Sequence, residues 1–213
     1  MAPRAEPRED DVLRNPIDAL THGLPRQWRI AIDWAVTILG AIAIVLAIKA
    51  YVVNPYRIPS SSMEPTLHCA RPGSGCMAQF SDRVLADRLS YHFREPRRGE
   101  IVVFKTPLAA ELACGGEGGT FVKRLIALPG ERWREQDGYI YINGKKLDEP
   151  YIEPARRGEE TRVEKIVPAG HYIMLGDNRS SSCDSRRWGA VSRGNLVGPV
   201  VAVYWPPKRI GFR

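Results

Sequence analysis

The chain has 213 residues, 44% apolar and 26% charged, with 31 lysines and arginines against 24 acidic residues and a net charge of +7. That length excludes a large multidomain enzyme and fits one domain with appendages. The apolar content excludes a disordered chain, and four cysteines are too few for a disulfide-built miniprotein. The mean hydropathy of −0.28 is that of a soluble protein, but the average conceals one concentrated apolar run.

Residues 1–29 are rich in Pro, Asp, Glu and Arg and read as a cytoplasmic tail. Residues 30–48, IAIDWAVTILGAIAIVLAI, are interrupted only by Asp33, Thr37 and Gly40. As a helix this run spans about 28 Å, close to the hydrocarbon thickness of a bilayer. It is longer than the apolar core of a cleaved signal peptide, and it lacks the amphipathic period of a half-buried helix. Asp33 sits near one end, where a charge reaches the interface at modest cost. The expectation is a transmembrane helix over residues 30–51. Arg14, Arg26 and Arg29 precede it and Lys49 and Arg57 follow, so the positive-inside bias is slight. The reading adopted is an inner N-terminus and an outer domain over residues 52–213. A net +7 suits a surface near anionic lipid as well as nucleic acid, so the lipid bilayer is the expected partner and nucleic acid is not.

Beyond Pro55 the pattern changes to short apolar runs punctuated by Gly and Pro. Residues 83–86, 100–104, 121–126, 172–175 and 196–204 have the length and composition of strands. Residues 139–147 form the clearest local pattern, with Asn143-Gly144 suited to the type I′ turn of a tight hairpin inside a small insertion at 130–168. No later stretch sustains a helical period. The fold class expected is mainly β, an antiparallel domain behind one transmembrane helix. The glycine-rich stretch 112–120 and the charged stretch 153–164 read as loops, and GGEGG lacks the Lys-Ser/Thr of a phosphate-binding loop.

Cys69 and Cys76 bracket a turn-forming Ala-Arg-Pro-Gly-Ser-Gly, which makes a disulfide between them possible; Cys114 and Cys183 then either pair or remain thiols. With no CxxC pair and four scattered histidines (His22, His68, His92, His171), neither a metal nor a cofactor is expected.

Three segments carry the chemistry. IPSSSMEPTL (58–67) alone reads as a polar loop. FVKRLIALPGE (121–131) interrupts an apolar strand with Lys123, whose alternation sets it on the face opposite Val122 and Arg124. GDNRSSSCDSR (176–186) is a polar loop dense in hydrogen-bonding groups. In that order behind an apolar anchor, these segments resemble the bacterial type I signal peptidases, from the span to the last strands. The resemblance implies a membrane-bound serine endopeptidase that cuts signal peptides from preproteins after small residues at −3 and −1. It implies Ser62 as nucleophile and Lys123 as general base. Ser60 and the Ser62 amide correspond to the oxyanion hole, and Ser182 to the serine that orients the lysine. Arg124, Asp177, Asp184 and Arg186 correspond to the supporting ion pairs. Ile58, Pro59, Met63, Phe121 and Val122 correspond to the shallow substrate pocket, although each residue by itself reads equally as core. Ser180, Ser181 and Cys183 depart from the family's usual residues.

The residue types suit these roles. A serine hydroxyl needs a base, and an ordinary lysine is neutral in only about one molecule in 2,500 at pH 7. Apolar neighbours such as Phe121, Val122 and Leu125 would lower its pKa by desolvation. A self-cleaving repressor with the same dyad would carry a DNA-binding helix-turn-helix where this chain has its apolar run. The remaining alternative is an inactive, membrane-tethered β module that binds signal peptides. The expected oligomeric state is a monomer.

Overall fold

The computed structural model describes residue 23 and residues 25–114 and 119–213. The expected tail lies, through residue 22 and at 24, outside the described residues, as does His22. The chain divides into two compact units, residues 1–48 and 49–213.

The first unit contributes most of helix α1 (Arg26–Tyr51), which begins four residues earlier than the apolar run alone indicates. Its residues Arg26–Lys49 are long and apolar enough to cross a membrane. Trp28, Trp34, Leu39, Ile44 and Leu46 are all exposed along it. Each Å² of such surface costs about 25 cal/mol in water, so a helix of this composition calls for an apolar surrounding.

In the second unit the described strands form two antiparallel sheets. The larger runs in the order β1 (Val53–Arg57), β2 (Arg83–Asp87), β11 (Leu196–Trp205), β3 (Ile101–Lys105), β4 (Thr120–Ala127), β9 (His171–Leu175) and β10 (Val191–Ser192), with β12 (Gly211–Phe212) also paired to β11. Strand β11 pairs with β3 through its first half and with β2 through its second, with register shifts in both ladders. Such irregularities increase local twist and bend the sheet, so its two faces bury separate cores. One holds Ile58, Met63, Leu67, Val84, Val103 and Val203. The other holds Val102, Phe104, Leu125, Tyr172, Met174 and Trp188.

The smaller sheet runs β7 (Lys145–Lys146), β6 (Tyr139–Ile142), β5 (Arg132–Gln136), β8 (Arg162–Ile166). Its Trp133, Ile140 and Ile142 share a third core with Ile126, Ile173 and Leu175 of the large sheet. Asn143 and Gly144 both take positive φ (50° and 80°), as a type I′ turn requires, and glycine does so without steric cost.

Two loop expectations are corrected here. The charged stretch 153–164 contains a 3-10 turn, Pro154–Arg156, and the start of β8, which makes the insertion a four-stranded sheet rather than a hairpin. Strand β8 escaped notice because nearly all its side chains are exposed, which leaves Arg-Val-Glu-Lys-Ile without a buried apolar face. Likewise the stretch from residue 112 begins inside a helix, Leu108–Ala113, and short helices also occur at Ser90–Phe93 and Ser185–Trp188. Pieces of four to six residues are too short to show a period. In chain order these are α2 (Ser90–Phe93), α3 (Leu108–Ala113) and α4 (Ser185–Trp188).

Candidate active site

The three polar segments converge on one groove of about 430 Å³, lined among others by Ile58, Pro59, Ser60, Ser62, Met63, Phe121, Val122 and Lys123. Every residue expected in the substrate pocket therefore lies on this groove, together with both members of the expected dyad. Ile58 and Met63 are simultaneously core, at 2% and 1% exposure, so the core and pocket readings hold together for these two.

Ser62 lies in a 3-10 turn, Ser61–Met63, that follows Ser60 in extended conformation. Ser60 Oγ and Ser62 Oγ are 3.3 Å apart. The turn is anchored from the third segment: Asn178 N–H donates to the Ser62 carbonyl and Asn178 Nδ2 to the Ser61 carbonyl, both at 3.1 Å. On its other side the chain folds around the fully buried Glu64 carboxylate. That group accepts from the Cys69 and Met77 amides at 3.1 and 3.2 Å and from His68 Nδ1 at 2.5 Å. The Cys69–Cys76 disulfide closes the same loop.

Lys123 is 4% exposed. Strand alternation places it on the same face as Phe121 and Leu125, and its partner across the ladder is Val102. All three belong to the second core, and Val122 packs on the first. Burial among them pushes the amine down to about 8, against the upward pull of Asp184, with Arg186 adding to the fall and Asp177 opposing it. The Phe121 ring centroid is 5.6 Å from Nζ.

The expected supporting residues form two linked clusters. Asp177 receives Arg124 in a bidentate pair (2.9 and 2.6 Å) and the Thr66 hydroxyl at 2.6 Å, which ties the strand of Lys123 to the segment after Ser62. Arg124 also donates to the Gly99 carbonyl at 2.7 Å and lies 3.8 Å from the Tyr151 ring centroid. Asp184 caps α4 by accepting from the Arg186 amide, and it receives Arg186 Nε at 2.8 Å and the Gly176 amide at 3.0 Å. Burial raises the Asp184 pKa, but these donors and the guanidinium outweigh it, so the carboxyl titrates below its ordinary range. Arg186 continues to Glu135 at 3.1 Å and to the Arg179 carbonyl at 2.6 Å. Arg179 in turn pairs with Glu149, both side chains fully buried, and donates to the Gly176 carbonyl at 3.0 Å.

One expected contact is not made. Ser182 Oγ is buried and without a hydrogen-bond partner, so it does not hold the lysine amine here. The hydroxyl is turned against Gly176, in the space a Cβ at that position would need. The same space is limited on its other side by the Ser62 carbonyl. An orphaned buried hydroxyl is a group with unspent hydrogen-bonding capacity.

Sequence reasoning missed Asn178, Thr66, Glu64, Glu149 and Arg179. Asn178 and Arg179 stand inside the third segment, and Glu64 and Thr66 inside the first, so each carried a signal; Glu149, 30 residues from its partner Arg179, did not. The fourfold count of cysteines is resolved as well: Cys114 and Cys183 form a second disulfide.

A serine hydroxyl and a buried amine thus line one groove, a combination of groups that hydrolases use. Comparison with known proteins narrows this. Residues 31–205 match the family model for signal peptidase, peptidase S26. The chain is 41% identical over 176 residues to a probable signal peptidase I-2 of Synechocystis, covering 83% of this chain and 74% of that protein. It is 38% identical over 175 residues to signal peptidase I of Leptolyngbya laminosa, covering 82% and 80%. Among solved structures, a signal peptidase I from Enterococcus faecalis matches at 31% identity with a TM-score of 0.42, covering 50% of this chain and 97% of that one. The chain belongs to the signal peptidase family, peptidase S26.

Proposed function

We propose that this family member removes signal peptides from exported preproteins by serine–lysine catalysis, with Ser62 as nucleophile and Lys123 as general base. The observation that carries the reading is a lysine buried on an apolar strand face that lines the same groove as the half-buried to buried serine turn holding Ser62. With its pKa near 8, the amine is neutral in about one molecule in ten at pH 7, a gain of more than a hundredfold over a solvated lysine.

In the proposed reaction Ser62 Oγ attacks the scissile carbonyl as Lys123 Nζ takes its proton. The negative charge on the tetrahedral intermediate is held by the Ser62 amide and the Ser60 hydroxyl. Collapse expels the mature chain's amine, which receives the proton from Lys123 and leaves the signal peptide esterified to Ser62. Water, deprotonated by the same lysine, then releases the signal peptide and restores the serine. Ser182 Oγ, idle in the free protein, completes its hydrogen bonding with the lysine once substrate closes the groove; catalytic hydrogen bonds often form only in the complex. Ile58, Pro59, Met63, Phe121 and Val122 provide shallow apolar walls that accept small side chains at −3 and −1. Helix α1 anchors the enzyme as a single pass in the bacterial cytoplasmic membrane, with the tail inside and residues 52–213 outside as the catalytic domain. Asp33, toward the tail end of α1, is within reach of the interface in this placement.

The test is cleavage of a preprotein bearing an Ala-x-Ala site by detergent-solubilised protein. Wild type cuts after the second alanine, while Ser62→Ala and Lys123→Ala do not; binding without cleavage by a folded wild type would instead identify an inactive module. Ser60→Ala removes one oxyanion donor, and its kcat falls about a hundredfold or more with an unchanged unfolding midpoint. A Ser60→Ala enzyme with wild-type kcat would take Ser60 out of the oxyanion hole.

A further inference from the structure

Cys114 ends α3, and Cys183 follows Ser182 directly; their disulfide joins positions 69 residues apart in the chain. Both cysteines line the groove, in company with Lys123, Phe121 and Ser181. On their inner side they pack into the same core as Phe121, Leu125 and Val102, the three residues that surround Lys123 on its strand face and across the ladder. The charged groups acting on the amine are Asp184, Arg186 and Asp177, and all of them stand in the segment 176–186 to which Cys183 belongs. One covalent bond thus secures both the apolar wall beside the lysine and the segment that presents its charged neighbours. The other disulfide, Cys69–Cys76, belongs to the opposite core.

We propose that the Cys114–Cys183 disulfide is a positioning element for the general base: by tying α3 to the Ser182 segment it holds Phe121 against Lys123 and keeps water from the amine. The proposal rests on the Ser62–Lys123 reading. Apart from the bond, α3 is held by Ala110 in the second core and by its contact with α4, but it is only six residues long and leaves Leu108 and Leu112 exposed, so opening the bond loosens it. As it moves away, water reaches the amine from the groove side and the charged form of the lysine gains. A disulfide that only stabilised the fold would, once broken, lower activity equally at every pH at which the protein remains folded.

The experiment compares the full-length wild type with the C114A/C183A variant in cleavage of the Ala-x-Ala preprotein, followed across pH at a temperature where both are folded. In the variant the rising limb of kcat/KM moves up by about one pH unit, which is about a tenfold loss at pH 7 that disappears at high pH. An unmoved limb, or a loss uniform in pH, overturns the proposal. A second measurement does not depend on turnover. In the Ser62→Ala protein the pH midpoint of Lys123 acetylation by acetic anhydride, read by mass spectrometry, rises when Cys114 and Cys183 are also alanine. The same midpoint rises when the otherwise intact Ser62→Ala protein is reduced until peptide mapping shows this bond open and Cys69–Cys76 closed. If Lys123→Ala still cleaves, the dyad reading fails while the acetylation midpoints still report on the disulfide. If the dyad variants are dead and neither limb nor midpoint moves, the disulfide proposal alone fails.

Discussion

Lys123→Met is expected to abolish cleavage and, at the same time, to make the protein more stable at neutral pH. Burial moves the amine from its ordinary 10.5 to about 8. Above pH 10.5 the lysine is neutral whether the chain is folded or not. As pH falls from 10.5 toward 8 the unfolded chain takes up the proton and the folded one does not, so stability is lost across that window and stays lost below it. The displacement corresponds to about 3 kcal/mol at pH 7. Methionine has similar length and no charge to desolvate, so the variant escapes this cost. Thermal unfolding of both proteins checks it: the methionine variant has the higher midpoint at pH 7, and the difference closes as pH approaches 11. A variant with no advantage at pH 7 would mean that the lysine is solvated and titrates as an ordinary amine. The same displacement sets the wild-type pH–rate profile, whose kcat/KM rises with pH through about 8 as the base loses its proton.

Glu149→Ala is expected to destabilise the second unit by about 3–5 kcal/mol, the range for removing one partner of a buried ion pair. Glu149 and Arg179 have no exposed side-chain surface, and Arg157 also reaches the same carboxylate at 3.3 Å. Alanine therefore leaves a buried guanidinium without a counter-charge. Because Arg179 also holds the Gly176 carbonyl, activity falls at temperatures where the variant remains folded. The double variant Glu149→Leu/Arg179→Leu regains a large part of the lost stability by replacing the pair with apolar contacts. Denaturant unfolding of the two single variants and the double variant measures the coupling. A coupling near zero would show that the two side chains act independently.

Much of the larger sheet was legible because its strands bury one or both faces. Runs such as Ile101–Lys105 and Thr120–Ala127 announce themselves through apolar side chains, and the structure moves their ends by only a residue or so. The Asn143-Gly144 turn was legible for a different reason, since few other residue pairs tolerate two successive positive φ values. Strands β1 and β8 were not legible: Val53–Arg57 contains Asn and Pro, and Arg162–Ile166 is nearly all exposed, so what makes each a strand is the ladder to its neighbour. The candidate site followed the same division. Ser62, Lys123 and the carboxylates of the third segment were readable as residue types in order along the chain. Their supports were not, because Glu149 is an ordinary glutamate until Arg179 is placed against it. Ser182 shows the opposite case, in that a hydrogen bond to Lys123 was expected of it and its hydroxyl has no partner in the free protein.

The closeness of Ser182 and the Ser62 carbonyl to Gly176 has a consequence for the chain's tolerance of change. Neither neighbour can retreat freely: the Ser62 carbonyl is already held by the Asn178 amide, and Ser182 is followed by a disulfide. A single methyl group at 176 would act as a wedge between the first and third segments, far smaller than any inhibitor yet placed on the boundary that the Asn178 and Asp177 hydrogen bonds hold closed. Gly194, whose added methyl meets nothing within 4 Å, marks the contrast. A saturation library would accordingly show a position tolerant of many residues at 194 and, eighteen residues earlier, one that admits glycine alone.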